Sequence, residues 1–271
     1  MTRRMTLEEI ETYWTAQAHE HGAAPAASWS DVWAIDLEVR EIARRLADGD
    51  RVLDVGCANG FSTVRLARLR RVHVRGIDYV PGMIEHARER IAKIEGELLG
   101  SVEFGVGNVL ELDEAEGAFD TVVCVRVLIN LRTWENQRRA LGALARVLRP
   151  GGHLLLSEAT HQGLARLNRL RAELGLEALP IPSFNEYLDE ERVIEAVRPE
   201  LELVELANFA SSYFVGTRVA KPLLAKLGLA RIDPADPRTE WNRFCAMLPA
   251  WGDYGTQKLF VLRKLGRLEP R

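Results

Sequence analysis

Cysteine is scarce in this sequence: three residues in 271, at positions 57, 124 and 245. That excludes a disulfide-stapled scaffold and points to reducing surroundings. No His/Cys pair has the spacing of a zinc site, so no metal is expected. No apolar run approaches the ~20 residues that cross a bilayer. The N-terminus turns polar and acidic after Arg4, unlike a signal peptide. A cytoplasmic protein with no membrane partner is therefore expected. A basic excess is missing too. Thirty-six Lys and Arg against 39 Asp and Glu leave a net charge of −3, so no global field invites nucleic acid. Residues 65–75 are locally rich in arginine, but those residues fall off the apolar helix face and read as solvated surface. Repeats and low-complexity tracts are absent. The length suits one large domain with a sizeable core.

What is present centres on residues 51–63, RVLDVGCANGFST. Arg51 to Val55 is a short apolar run with β-branched residues, and predicts a buried strand. Gly56-Cys57-Ala58-Asn59-Gly60 follows, and then a helical period from Phe61 to Leu69. Strand, glycine loop and helix form the opening of a nucleotide-binding α/β unit. The loop is not the dinucleotide fingerprint, because Ala58 stands where a third glycine is required. A nicotinamide reductase is disfavoured on that ground. No Gly-Lys-Ser/Thr follows, which excludes a Walker phosphate loop. Asp54, just ahead of the loop, suits a cation better than a pyrophosphate. Val72 to Asp78 predicts a second strand. Asp78 at its end is placed to accept from two vicinal ribose hydroxyls, or to cap the helix opening at Pro81-Gly82.

Further strands are predicted at 101–106, 118–126, 153–159, 201–213 and 258–263. Helices are predicted at 7–22, 32–46, 134–148, 164–175, 189–197 (stopped by Pro199), 219–229 and 241–248. Thr6 and Glu9 have the spacing of a capping box. Trp134 to Leu148 closes on Arg149-Pro150-Gly151-Gly152, where Pro150 stops the helix and the glycines allow a reversal.

The segment DVGCANGFST resembles the first motif of class I S-adenosyl-L-methionine-dependent methyltransferases. Asp78, Asn108-Val109, Phe119-Asp120 and the Arg-Val-Leu-Arg-Pro-Gly-Gly turn agree with that family in order, over about residues 51–159. Asn108 departs from the usual acid, although its amide oxygen can still accept. The resemblance implies a Rossmann-like, doubly wound α/β fold: a seven-stranded, mostly parallel sheet with one antiparallel strand, plus helical cap insertions. It implies N-terminal helices over 1–50, a cofactor-binding core over 51–160, caps at 161–200 and 216–255, and closing strands at 201–215 and 256–264.

It further implies S-adenosyl-L-methionine as cofactor and a small-molecule acceptor methylated on O or N. A non-catalytic cofactor-binding module and a macromolecule methyltransferase stay open as alternatives, as does a homodimer. Carried over residue by residue, the cofactor set is Tyr13, Asp54, Gly56, Cys57, Ala58, Gly60, Asp78, Tyr79, Met83, Asn108, Val109 and Arg126. Arg126, a charge ending a buried strand, must find a partner: the cofactor carboxylate, an anionic acceptor group, or a local acid. A base is needed only for a hydroxyl or protonated amine. His161, Glu158 and Asn130 are the catalytic candidates. Asn168, Arg171, Asn185, Tyr187 and Tyr213 are the substrate candidates, with Glu158 pairing Arg171 as the rival reading.

Overall fold

The sheet is built around β1 (Arg51–Val55), whose Val52 and Leu53 are fully buried on opposite faces. A computed structural model describes residues 3–94, 98–198 and 200–266. The other strands are β2 (His73–Asp78), β3 (Ser101–Val106), β4 (Phe119–Val125), β5 (Leu148–Ala159), β6 (Leu201–Ala207) and β7 (Gln257–Lys264). Their order is β3-β2-β1-β4-β5-β7-β6, and β7 runs antiparallel to both of its neighbours. This is the Rossmann-like seven-stranded arrangement that the resemblance implies.

The helices are α1 (Leu7–His21), α2 (Val32–Ala43), α3 (Phe61–Leu69), α4 (Pro81–Ala92), α5 (Trp134–Val147), α6 (His161–Glu173), α7 (Glu190–Val197), α8 (Ser211–Val215), α9 (Lys221–Lys226) and α10 (Glu240–Ala246). The capping box of α1 forms as its sequence predicts, with Thr6 and Glu9 exchanging bonds. The central strands read as unbroken apolar runs because both faces are covered. Leu53, Val122, Leu154 and Leu156 join one core with residues of α5 and α7. Val52, Val123 and Leu155 point the other way, into a core shared with α2 and α3. Asp120 holds the lower edge, accepting from Arg51 N at 2.8 Å and pairing with Arg149. That accounts for the Phe-Asp pair and the Arg149 turn as one structural device.

Several boundaries differ from expectation. β5 begins at Leu148, because Leu148 already pairs with Phe119 before a register shift. α6 begins at His161, capped by the Thr160 hydroxyl that accepts from Gly163 N. β6 ends at Ala207 rather than running on to 213. It is an edge strand whose pairing with β7 stops at Ala207 opposite Leu259. The chain then turns into α8, and a π-helical turn, Gly216–Ala220, carries it into α9. The helix expected over 219–229 is thus the end of a longer helical stretch. The expected stop at Pro199 lies outside the described residues.

The strand order reverses between β1 and β4. The loops leaving the C-terminal ends of these two strands therefore diverge and leave a crevice, the usual ligand position in open α/β sheets.

Candidate functional site

A cavity of about 740 Å³ occupies that crevice, within the range of small-molecule sites. Its floor is the loop after β1. Gly56 has φ +75°, and a Cβ there would stand 2.1 Å from Val127 Cγ2, so only glycine fits. Ala58 also has positive φ, +47°. Asp78 accepts from Ala58 N at 3.0 Å and from Val80 N at 2.9 Å. It thus fixes the loop and holds Val80 at the entrance to α4 without capping the helix itself, and each carboxylate oxygen keeps capacity for a further bond. Burial pushes Asp78 up to about 6. Asp54, accepting from the Thr63 hydroxyl at 2.6 Å, is likewise pushed up to about 6, with burial the largest cause.

The cofactor set is almost wholly gathered here. Tyr13, Asp54, Gly56, Cys57, Ala58, Asp78, Tyr79, Met83, Asn108, Val109 and Arg126 all line the cavity. Gly60 does not. It takes φ +71° to enter α3, and a Cβ would press on Phe104 at 2.5 Å. Asn108 Oδ1 already accepts from Leu110 N at 2.9 Å. The Cys57 thiol is pushed well above its ordinary range, chiefly by burial, which suits packing rather than reactivity.

Arg126 finds its partner within the protein. Its guanidinium pairs with Glu38 of α2 and lies over the Trp29 ring, 4.8 Å from the centroid. Glu38 in turn accepts from the Ser157 hydroxyl and from Gln257 Nε2 at 3.1 Å. The sequence reading missed Glu38. Its signal was an acid between Ile35 and Ile42 on the apolar stripe of α2. Asn59 was missed as well: its Nδ2 donates to Gly22 O and Ala24 O, while its buried Oδ1 has no partner and it lines the cavity.

The roof is made by α1 and residues 179–187. Tyr13 stacks on Phe184 with centroids 4.9 Å apart, and Trp14 meets Phe184 edge to face. Met5 N donates to Ser183 O at 3.1 Å, and Arg4 pairs with Glu186. Asn130, Asn185 and Tyr187 line the space below, together with Leu164, Phe214 and Arg218.

Several candidates are not brought into this space. Glu158 is fully buried below it and accepts from Val127 N, Leu128 N and Ile129 N. Burial pushes it up to about 8. It shapes the turn after β4 and cannot reach a ligand; nor does it pair with Arg171. His161 starts α6 outside the cavity, with Nε2 3.8 Å from Glu186 Oε1, and partial burial lowers its pKa. Asn168 closes its amide on Leu179 in both directions, at 3.1 and 2.8 Å. Arg171 donates to the carbonyls of Glu177 and Arg218. The Tyr213 hydroxyl donates to Asp31 beneath α2 and accepts from Asn242 Nδ2. These polar side chains brace the cap, where sequence reading placed them against substrate.

The arginines in and beside the cavity are paired within the protein. Arg218 pairs with Asp31 at 2.8 Å, and Arg166 with Glu190 and Asp253. Among the described residues, no group of three or more His, Cys, Asp or Glu could hold a metal ion, and no helix is long and apolar enough to cross a membrane.

Residues 52–152 match the family described as a methyltransferase domain. The O-methyltransferase rstn1 of Aspergillus nomiae is 36% identical over 127 residues, 46% of this chain and 54% of that protein. The 27-O-demethylrifamycin SV methyltransferase of Amycolatopsis mediterranei is 34% identical over 148 residues, 52% of each chain. The chain thus spans about half the length of the curated relatives it matches. Among solved structures, N-methyltransferase NodS from Bradyrhizobium japonicum, in complex with S-adenosyl-l-homocysteine, superposes with a TM-score of 0.55. It shares 17% identity, over 94% of this chain and 98% of that one.

Proposed function

We propose that this chain, whose residues 52–152 match a methyltransferase domain, is a class I S-adenosyl-L-methionine-dependent methyltransferase that transfers a methyl group to an oxygen or nitrogen of a small molecule. The observation that carries this reading is the single cavity that joins the glycine loop and Asp78 to an apolar space under a roof. The residues fit the cofactor. Asp78 retains lone pairs for vicinal hydroxyls, and Met83 and Val109 supply apolar wall.

The cofactor supplies an activated methyl on a sulfonium, so the protein's work is alignment and exclusion of water. Asp78 would hold the ribose end. Arg126, its charge balanced by Glu38, would face the amino-acid end without leaving an unpaired cation. Asn130 would help hold the acceptor crevice, since its amide ties Trp14 to the Arg126 carbonyl. His161 and Glu158 lie outside the cavity. Neither is placed to act as a base on a bound acceptor. The relatives named as O-methyltransferases support oxygen.

Calorimetric titration of S-adenosylmethionine and S-adenosylhomocysteine into the chain tests the reading. Micromolar binding, weakened at least about tenfold by Asp78→Ala through loss of charge-assisted hydrogen bonds, is expected. Absence of binding by the folded chain overturns it.

A further inference from the structure

Two side chains under the roof, Arg218 and Tyr187, line the cavity with hydrogen-bonding groups that the fold does not use. A guanidinium carries several N–H donors, and Arg218 donates through Nη2 alone, to Asp31 Oδ2 at 2.8 Å. Its Nε and Nη1, and the Tyr187 hydroxyl, have no partner among the described residues, yet none of them is a sealed atom. Burial raises the Tyr187 pKa and the charge of Arg218 opposes that rise. The hydroxyl therefore lies inside the protein, within electrostatic reach of the guanidinium, and the space they share is the cavity.

Arg218 is held from behind. It sits in the π-helical turn Gly216–Ala220, a departure from α-helix that often marks functional sites. A Cβ at Gly216 would stand 2.4 Å from Cys245 Sγ, so α10 packs directly on the turn. Trp241 Nε1 donates to Gly216 O at 2.9 Å, and Arg171 donates to Arg218 O. Asp31, itself buried, accepts from the Tyr213 hydroxyl and from Ala34 N as well as from Arg218. The Tyr213 hydroxyl accepts from Asn242 Nδ2 at 3.0 Å, and Asn242 Oδ1 accepts from the buried Lys221 Nζ at 2.8 Å. The polar side chains that brace the cap thus end on one guanidinium, fixed through one nitrogen and open at the other two. A planar donor fixed in this way loses little freedom when a ligand arrives.

The donors define the ligand. Arginine offers donors and no acceptor, and the Tyr187 O–H can donate as well. A group that meets both is an oxygen with two lone pairs and no hydrogen of its own, which is a carbonyl oxygen. Around the pair the walls are apolar: Leu164, Leu179, Phe184 and Phe214. The cavity is also lined by Glu11, Asp54 and Asp78, the last two at the glycine loop. A ketone and a carboxylate present the same oxygen to Arg218 and Tyr187, and that oxygen is the shared chemistry.

We propose that Arg218 and Tyr187 together bind a carbonyl oxygen of the acceptor, which makes them specificity-determining residues and the acceptor a carbonyl-bearing molecule with an otherwise apolar frame. This rests on the methyltransferase reading above and names its substrate class.

Three probes on one frame test it: 2-acetylnaphthalene, a ketone; 2-naphthoate, a carboxylate; and 2-isopropenylnaphthalene, in which a CH2 group replaces the ketone oxygen. Each is titrated calorimetrically into the chain saturated with S-adenosylhomocysteine. Wild type is expected to bind the ketone or the carboxylate about tenfold or more tightly than the hydrocarbon, the usual worth of a hydrogen bond from a charged donor. The tighter of those two identifies the source of the oxygen. Tyr187→Phe, which removes one hydroxyl, is expected to cut the preference by about threefold or more. Arg218→Met alone would leave Asp31 buried without its cation, so it is combined with Asp31→Asn, and this pair is expected to cut the preference by about fivefold or more. Affinity for the hydrocarbon and for S-adenosylhomocysteine should stay within about threefold, which a merely structural role of either residue would not give. If the Arg218→Met, Asp31→Asn protein does not fold, Tyr187→Phe decides alone. Failure of wild type to bind any probe, equal binding of all three, or a preference unmoved by either change overturns the proposal. Should wild type bind no S-adenosylhomocysteine, the methyltransferase reading falls separately, and the same titrations on the unloaded chain still decide the carbonyl contact.

Discussion

Trp14 Nε1 donates to Asn130 Oδ1 at 2.8 Å, across 116 residues of sequence. One partner sits on α1 in the roof, the other in the turn that leaves β4. Asn130 Nδ2 continues the chain to the Arg126 carbonyl at 3.0 Å. Asn130 is therefore a clasp between the roof and the crevice edge. Asn130→Ala leaves the indole N–H and the Arg126 carbonyl short of a partner, at a cost of about 1–3 kcal/mol. Faster amide exchange across 7–21 than in wild type, measured by hydrogen–deuterium exchange, is the expected sign. Unchanged exchange would show that the aromatic contacts of Phe184 hold the roof alone.

Asp78 gives a pH dependence with a definite sign. Burial pushes its carboxyl up to about 6, and only the ionised form accepts on both oxygens without restriction. S-adenosylhomocysteine affinity is expected to be flat above about pH 7 and to fall as pH drops through that value. Asp78→Asn should remove most of the slope, measured by titrations at stepped pH. Whatever slope remains belongs to Asp54, pushed up to about 6 beside it.

Glu158 predicts an effect on stability instead. Its folded value, about 8, lies above its unfolded value near 4.5. A raised acid contributes stability that is full below the unfolded value and is lost as pH rises through the folded one. Wild type is expected to weaken between about pH 5 and pH 8, and Glu158→Gln, which keeps one accepting oxygen, to weaken less. Denaturant midpoints at the two ends of the window decide it. A steeper loss in the variant would contradict the assignment.

His161→Ala is expected to leave turnover within about twofold of wild type, because the ring lies outside the cavity and has no base to offer there. A loss of about a hundredfold, measured with the first acceptor found, would return His161 to the chemistry.

Ala58 carries φ +47° where a glycine would be unstrained. Replacing it should relieve roughly 1–2 kcal/mol of left-handed strain and restore part of the unfolded chain's freedom, for a net gain of about 0.5 kcal/mol. Chemical denaturation measures this directly.

Legibility followed how local each feature is. The glycine loop, Asp78 and the Arg149 turn were readable because strand, loop and helix lie within a few residues of one another. The lining residues Tyr13, Asn185 and Tyr187 were readable only through the expectation of a roof. Glu158 was misread because its three N–H partners come from residues 127–129, some thirty positions earlier, and a carboxylate at a strand end looks the same whether it faces ligand or backbone. Asn168, Arg171 and Tyr213 were misread for a related reason. The backbone and side-chain groups that satisfy them belong to cap segments with no periodic signal. The end of β6 was missed because alternation continues past the point where β7 stops offering a partner.

The bond from Met5 N to Ser183 O, with the Arg4–Glu186 pair beside it, has a practical consequence. These ties hold Arg4 and Met5, near the N-terminal end, against the roof segment at Ser183 and Glu186. A purification tag at that end would lean on the roof and could slow exchange of ligand with solvent. Protein bearing such a tag and protein freed of it should be expected to give different binding kinetics.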